Sequence, residues 1–93
     1  MRVYEATFIF KPEAENVERG QALVKDVLTK AGGSIVNEDD MGERALAYPV
    51  KKVDRGHYFC YELKWEPTAI HEAERALQLA PEILKYLIVR KET

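Results

Sequence analysis

With 93 residues, 46% of them hydrophobic, and a net charge of −2, the chain has the size of one small domain with one thin core. This balance excludes a disordered tail and a protein that coats nucleic acid indiscriminately. A single cysteine, Cys60, has no partner within the chain, no apolar run approaches the ~20 residues of a membrane helix, and Met1-Arg2-Val3-Tyr4-Glu5 lacks the apolar core of a secretory signal, so a reducing cytoplasm is the expected setting.

Residues 3–10 alternate, with Tyr4, Ala6, Phe8 and Phe10 on one face and Val3, Glu5, Thr7 and Ile9 on the other. Apolar side chains on both faces predict a central strand, and Lys11-Pro12 ends it. Residues 13–31 carry Val17, Gly20, Val24, Val27, Leu28 and Ala31 at helical spacing. Acids crowd the first turn and Lys30 sits in the last, as the macrodipole favours. Gly20 suits a close approach of this helix to a sheet, and Gly32-Gly33 stops the helix.

A second strand opens at 34–37, passes the acidic cluster Glu38-Asp39-Asp40 and resumes at Arg44, with a bend or bulge expected at Met41-Gly42. Its later part is Gly42-Glu43-Arg44-Ala45-Leu46-Ala47-Tyr48-Pro49-Val50-Lys51-Lys52. Leu46, Tyr48 and Val50 share one face. Pro49 cannot donate a ladder hydrogen bond and confines the strand to a sheet edge. Val53-Asp54-Arg55-Gly56 reads as the turn, and 57–65 as a third strand with Phe59, Tyr61, Leu63 and Trp65 facing the core. Pro67-Thr68 starts a second helix with Ile70, Ala73, Ala76, Leu77 and Ala80 on its apolar stripe. Pro81 ends it, and 83–90 is the last strand.

The order β-α-β-β-α-β predicts an α+β, ferredoxin-like single domain over 1–93: a four-stranded antiparallel sheet with both helices on one face. The first and third strands are expected in the centre and the second and fourth at the edges. Phe8, Phe10, Leu28, Phe59, Tyr61, Leu63 and Leu77 form the expected core. The other sheet face, with Glu5, Thr7, Tyr58, Cys60, Glu62 and Lys64, is left for water or a partner.

The chemistry-bearing residues are few. His57 and Cys60 are separated by an odd number of positions on one strand and point to opposite faces, so they cannot form a nucleophile–base pair. His71 lies on the exposed side of the second helix. No metal-ligand spacing, Gly-rich phosphate loop or calcium loop is present, and Glu38-Asp39-Asp40 reads as a solvated bend. Arg55-Gly56-His57-Tyr58-Phe59-Cys60-Tyr61 faintly resembles the third strand of RNA recognition motifs, but its aromatics fall on the core face, which argues against base stacking on the sheet. Basic residues gather at Arg44, Lys51, Lys52 and Arg55, and again at Lys85, Arg90 and Lys91.

The run from Gly42 to Lys52 resembles the signature of the bacterial small-subunit ribosomal protein S6 family through Gly42, Arg44, Leu46, Ala47, Tyr48 and Lys51. Val50 replaces Ile, and Ala45 departs from a usually polar position. Arg2-Val3-Tyr4-Glu5 and Gly56-His57-Tyr58-Phe59 resemble the same family, and the likeness runs over nearly the whole chain. It implies a structural protein of the small subunit, not an enzyme. It also implies binding to the central domain of small-subunit ribosomal RNA together with a small basic partner, ribosomal protein S18. No cofactor is expected. Arg2, Arg44, Lys51, Lys52 and Arg90 are the candidate RNA contacts, holding phosphate and sugar. Glu38, Asp39 and Asp40 are candidates for steering the basic partner to the second-strand edge between Ser34 and Gly42. The competing reading on the same fold is a small-molecule sensor or acyl-phosphate enzyme, which needs an anion loop with a positioned Arg and Asn.

Overall fold

The computed structural model describes residues 2–91. The elements run β1 (Arg2–Phe10), α1 (Ala14–Lys30), β2 (Ser34–Val50), β3 (Val53–Trp65), a 3-10 turn (Pro67–Ala69), α2 (Ile70–Gln78) and β4 (Ile83–Arg90). All pairings are antiparallel, in the order β2-β3-β1-β4. The expected ferredoxin-like α+β arrangement is therefore present, with the Pro49-bearing strand at an edge.

The alternation in β1 and β3 builds the core. Tyr4, Ala6, Phe8 and Phe10 from β1 and Phe59, Tyr61, Leu63 and Trp65 from β3 are buried beneath Val24 and Leu28 of α1 and Ala73 and Leu77 of α2. The whole expected core set is buried. Ala76, expected on the α2 stripe, is exposed instead. The Phe8 ring packs against Phe10, Tyr61 and Tyr86 at centroid distances of 6.1, 5.7 and 6.2 Å. The Trp65 indole N–H donates to the Ala31 carbonyl at 3.1 Å, tying the end of β3 to the end of α1. The Tyr61 hydroxyl is buried without a hydrogen-bond partner, and that burial pushes its ionisation far above the ordinary tyrosine range.

Gly32 stops α1 with φ 86°, a left-handed position. The Gly32 N–H donates to the Thr29 carbonyl at 3.0 Å and the Gly33 N–H to Leu28 at 2.8 Å, which satisfies carbonyls that the last turn would leave open. The chain then enters β2.

Two expectations are corrected along β2 and β3. The acidic cluster is no bend: Glu38, Asp39 and Asp40 lie inside continuous strand, opposite Tyr61, Cys60 and Phe59. Backbone pairing to the central strand β3 holds them extended despite their poor strand propensity. The expected irregularity at Met41-Gly42 is present as a register shift between Asp40 and Gly42, with Gly42 at φ 84°, and a second shift lies between Ile35 and Asn37. The turn also moves. Val53-Asp54-Arg55-Gly56 belongs to β3, and the chain reverses at Lys51-Lys52, between the paired Val50 and Val53. Lys51 and Lys52 have φ 51° and 65°, the signature of a two-residue type I′ hairpin turn. That turn normally uses Asn-Gly, so two lysines give no sequence signal for it.

Candidate nucleic-acid interface

The β2–β3 hairpin extends past the other strands and curls across the end of the sheet. Its register shifts between Ala45 and Val50, and this irregular stretch carries Leu46, Tyr48 and Pro49. The curl lets the tip touch β4, which lies at the far edge. The Lys51 ammonium donates to the Ile83 carbonyl at 3.2 Å. The Lys85 ammonium donates to the Tyr48 hydroxyl at 3.4 Å and lies 5.8 Å from the centre of its ring, within cation–π range. Tyr48 remains 62% exposed. Lys52 has no hydrogen bond or ion pair among the described residues, so its charge is free. Arg44 opens the same end of the hairpin, with its guanidinium 5.9 Å from the centre of the Tyr58 ring. Arg55 is neutralised by Glu43 at 2.7 Å.

This end of the fold therefore carries Arg44, Lys51, Lys52 and Lys85, with Lys85 against the exposed Tyr48 and Arg44 against Tyr58. The sequence grouped Lys85 with Arg90 and Lys91, because nothing local reports that a hairpin crosses to β4. The β4 register separates them: Lys85 pairs with Ile9 at one end of β1 and Arg90 with Tyr4 near the other. In the sequence Tyr48 is a strand-face residue and part of the family signature, with nothing local to pair it with Lys85. The signal that could have found both was the length of the hairpin, which needs somewhere to put the residues beyond its last partner strand.

Arg2 and Arg90 do not join this cluster. Arg2 pairs with Trp65, whereas Arg44 pairs with Gly56, nine positions away on β3. At about 3.3 Å per residue the two rows are ~30 Å apart. Arg2 and Arg90 are exposed at the opposite end of the sheet, on the neighbouring strands β1 and β4. The five candidate contacts thus form two basic groups at opposite ends.

The acidic trio is also divided, by strand parity. Asp39 shares the open sheet face with Cys60, while Glu38 and Asp40 point to the helix side. Glu38 forms a 2.9 Å ion pair with Lys25. Asp40 accepts from the Gly42 N–H at 3.0 Å and lies 2.5 Å from His57 Nε2. Burial opposes ionisation of Asp40, but the Gly42 N–H and the His57 ring outweigh it and hold the carboxyl below its ordinary range. Asp39 has neither hydrogen bond nor ion pair among the described residues and is the member of the trio free to act at a distance. Exposed apolar side chains flank it on the same edge: Val36 at the first bulge and Met41 at the second. Across the open face, β4 exposes Leu87 and Val89.

No catalytic constellation accompanies these surfaces among the described residues. Burial pushes the Cys60 thiol up, helped by Glu5 and Asp39 and opposed by a hydrogen bond from Thr7, so it is a poor nucleophile. No group of His, Cys, Asp and Glu could hold a metal ion there. Asn16 spends its amide on Glu13 and Arg19 at the start of α1, and Asn37 on the neighbouring Glu38 N–H, so neither faces an anion loop. Phe59 and Tyr61 are buried, which rules out stacking bases on the sheet in the manner of an RNA recognition motif. No helix of the described residues is long and apolar enough to cross a membrane.

The model of the family "Ribosomal protein S6" matches residues 3–90. A small ribosomal subunit protein bS6 of Campylobacter lari is 44% identical over 99% of this chain and 76% of its own length. That of Sulfurovum is 42% identical over 97% and 72%. Among solved structures, the 30S ribosomal protein S6 of Thermotoga maritima superposes with a TM-score of 0.85 at 29% identity, covering 97% of this chain and 87% of that one. The C-terminal domain of the MgtC protein of Mycobacterium tuberculosis, at 13% identity and a TM-score of 0.66, shares the fold alone. Family members are structural ribosomal proteins rather than enzymes, which sets aside the acyl-phosphate reading. On a match that spans the sheet, both helices and the curled hairpin, the chain belongs to the ribosomal protein S6 family.

Proposed function

We propose that the chain is a structural component of the small ribosomal subunit in the bacterial cytoplasm, where it binds the central domain of small-subunit ribosomal RNA together with ribosomal protein S18. The observation that carries this reading is the cationic hairpin end of an otherwise mildly acidic protein. Arg44, Lys51 and Lys52, joined by Lys85, suit the phosphate backbone. Such contacts position a protein on RNA without reading sequence, and specificity then comes from RNA shape and from the partner. Arg2 and Arg90 supply a second, separate contact ~23–30 Å away, as a protein spanning two RNA segments requires.

The partner reading rests on the β2 edge between Ser34 and Gly42. Two bulges interrupt its ladder, so addition of a partner strand is disfavoured there. Side chains offer a better grip: Val36 and Met41 for apolar contact, and Asp39 to steer a basic protein. Glu38 and Asp40, held by Lys25 and His57, contribute background field rather than direct contacts.

The test is co-sedimentation of the tagged chain with ribosomal particles, with sequencing of the bound RNA and identification of bound protein. Recovery in small-subunit fractions with central-domain RNA and S18 is the expected result. A chain that stays free of particles in actively growing cells sinks the reading. In a titration with purified S18, Asp39→Lys should slow association and lower its salt dependence. An unchanged association rate removes Asp39 from the interface.

A further inference from the structure

We infer that the hairpin tip is a seat for one unpaired RNA nucleotide, whose base stacks on Tyr48 and whose flanking phosphates are held by Lys52 and Lys85; this rests on the RNA-binding reading above. Phosphate neutralisation alone needs only cations. It gives no role to a large aromatic ring left 62% exposed beside Lys85. Lys85 occupies one side of that ring, at 5.8 Å, and binds its hydroxyl at 3.4 Å. The remaining ring surface faces outward, the geometry on which an unstacked base settles in single-stranded RNA recognition. A base in a continuous duplex has both faces covered by its neighbours, so the occupant is a looped-out or terminal nucleotide.

The tip is built to stay in place. Lys51 anchors it to the Ile83 carbonyl at 3.2 Å, and Tyr48 ties it to β4 through Lys85. Both turn lysines stand in left-handed backbone, which lysine adopts reluctantly, in a type I′ turn that Asn-Gly would fill without strain. Lys51 commits one of its three ammonium donors to the anchor, and Lys52, next to it in the turn, has no partner among the described residues. Aromatic surface, fixed tip and unpaired cation together match a nucleotide's base and phosphate. The place differs from the open sheet face, where Phe59 and Tyr61 are unavailable.

The experiment uses a transcribed central-domain RNA, with S18 present, and measures binding across a salt series. Tyr48→Phe, which keeps the ring and loses only the hydroxyl contact to Lys85, should bind more tightly than Tyr48→Ala. Tyr48→Ala should bind roughly 5- to 150-fold more weakly, with an unchanged salt slope, because it loses stacking and no charge. The Lys52→Ala/Lys85→Ala pair should instead flatten the slope by about 1.5. Tyr48→Trp supplies a direct readout, since Trp65 is fully buried and shielded. Its emission should be quenched by the RNA with the same midpoint as binding. Bound RNA without quenching, or Tyr48→Ala binding within about twofold of the unmodified chain, overturns the inference. Quenching by S18 alone also overturns it, because a protein then covers the ring. An unmodified chain that binds no RNA even with S18 defeats the broader reading instead, so the two failures are told apart. If Tyr48→Ala does not fold, the tryptophan titration decides.

Discussion

Gly20→Ala should destabilise the protein even though alanine is the better helix former. Gly20 is buried on α1, directly over Phe10 of β1. A Cβ there would lie 2.5 Å from Phe10 Cδ1, 2.7 Å from Cε1 and 3.2 Å from Cγ. Ordinary carbon contacts are about 3.5–4.0 Å, so ring or helix must move by roughly 1 Å. The ring has nowhere to go: Phe10 is fully buried and stacked on Phe8 at 6.1 Å, in a strand paired on both sides. Lifting α1 instead loosens Val24 and Leu28 along the same face. Overpacking costs ~1–3 kcal/mol, and against a fully buried, confined ring the cost falls in the upper part of that range, ~2–3 kcal/mol, of which alanine's propensity returns ~1 kcal/mol. The net loss of about 1–2 kcal/mol corresponds to a Tm lower by about 4–15 °C for a domain of this size. Differential scanning calorimetry measures it. In a Phe10→Leu background, where the clashing ring is gone, the same substitution should cost less. A Gly20→Ala protein as stable as the unmodified one would refute the close-approach argument.

Tyr61→Phe should leave stability unchanged or raise it by up to ~1 kcal/mol in urea unfolding, since it removes a buried hydroxyl without a partner; a clear loss would mean that the hydroxyl is satisfied after all. Lys52→Gly should raise stability by ~1 kcal/mol by relieving a left-handed lysine, while weakening RNA binding and lowering its salt slope, so that stability and function move in opposite directions. The Asp40 carboxyl is held below its ordinary range when folded, so the folded state binds fewer acid protons than the unfolded chain. Its stabilisation is complete above the unfolded value of about 4 and fades as the pH falls toward the lower folded value. The gap in urea midpoint between the unmodified chain and Asp40→Asn should therefore hold steady down to about pH 4 and narrow below it, and a gap that stays constant on further acidification would contradict the Asp40–His57–Gly42 arrangement.

Much of this fold can be read from periodicity, because β1, α1 and β3 each bury one face and repeat accordingly. The parity of 57–65 follows from Phe59, Tyr61, Leu63 and Trp65 alone, and it also excludes base stacking on the sheet. Pro49 marks the edge strand. What escapes a local reading is decided by distant partners. Glu38-Asp39-Asp40 looks like a bend, yet pairing with β3 keeps it extended. The hairpin turn falls on two lysines rather than on the Asp54-Arg55-Gly56 signal, because the cross-strand register and not the turn chemistry fixes it there. Of the candidate RNA contacts, residue type and family likeness supply the names but not the grouping. Only the curl of the hairpin brings Lys85 to Tyr48, and only the sheet's length sets Arg2 and Arg90 apart from Arg44.

The salt dependence of binding between the S18-bound chain and a central-domain transcript of small-subunit ribosomal RNA tests the central claim most directly. The account predicts tight binding that weakens linearly on a log–log plot, with a slope that falls by about 2–3 when Arg44, Lys51 and Lys52 are all changed to Ala. Absence of binding by the unmodified chain with S18, or an affinity and slope that the triple variant leaves unchanged, would contradict it.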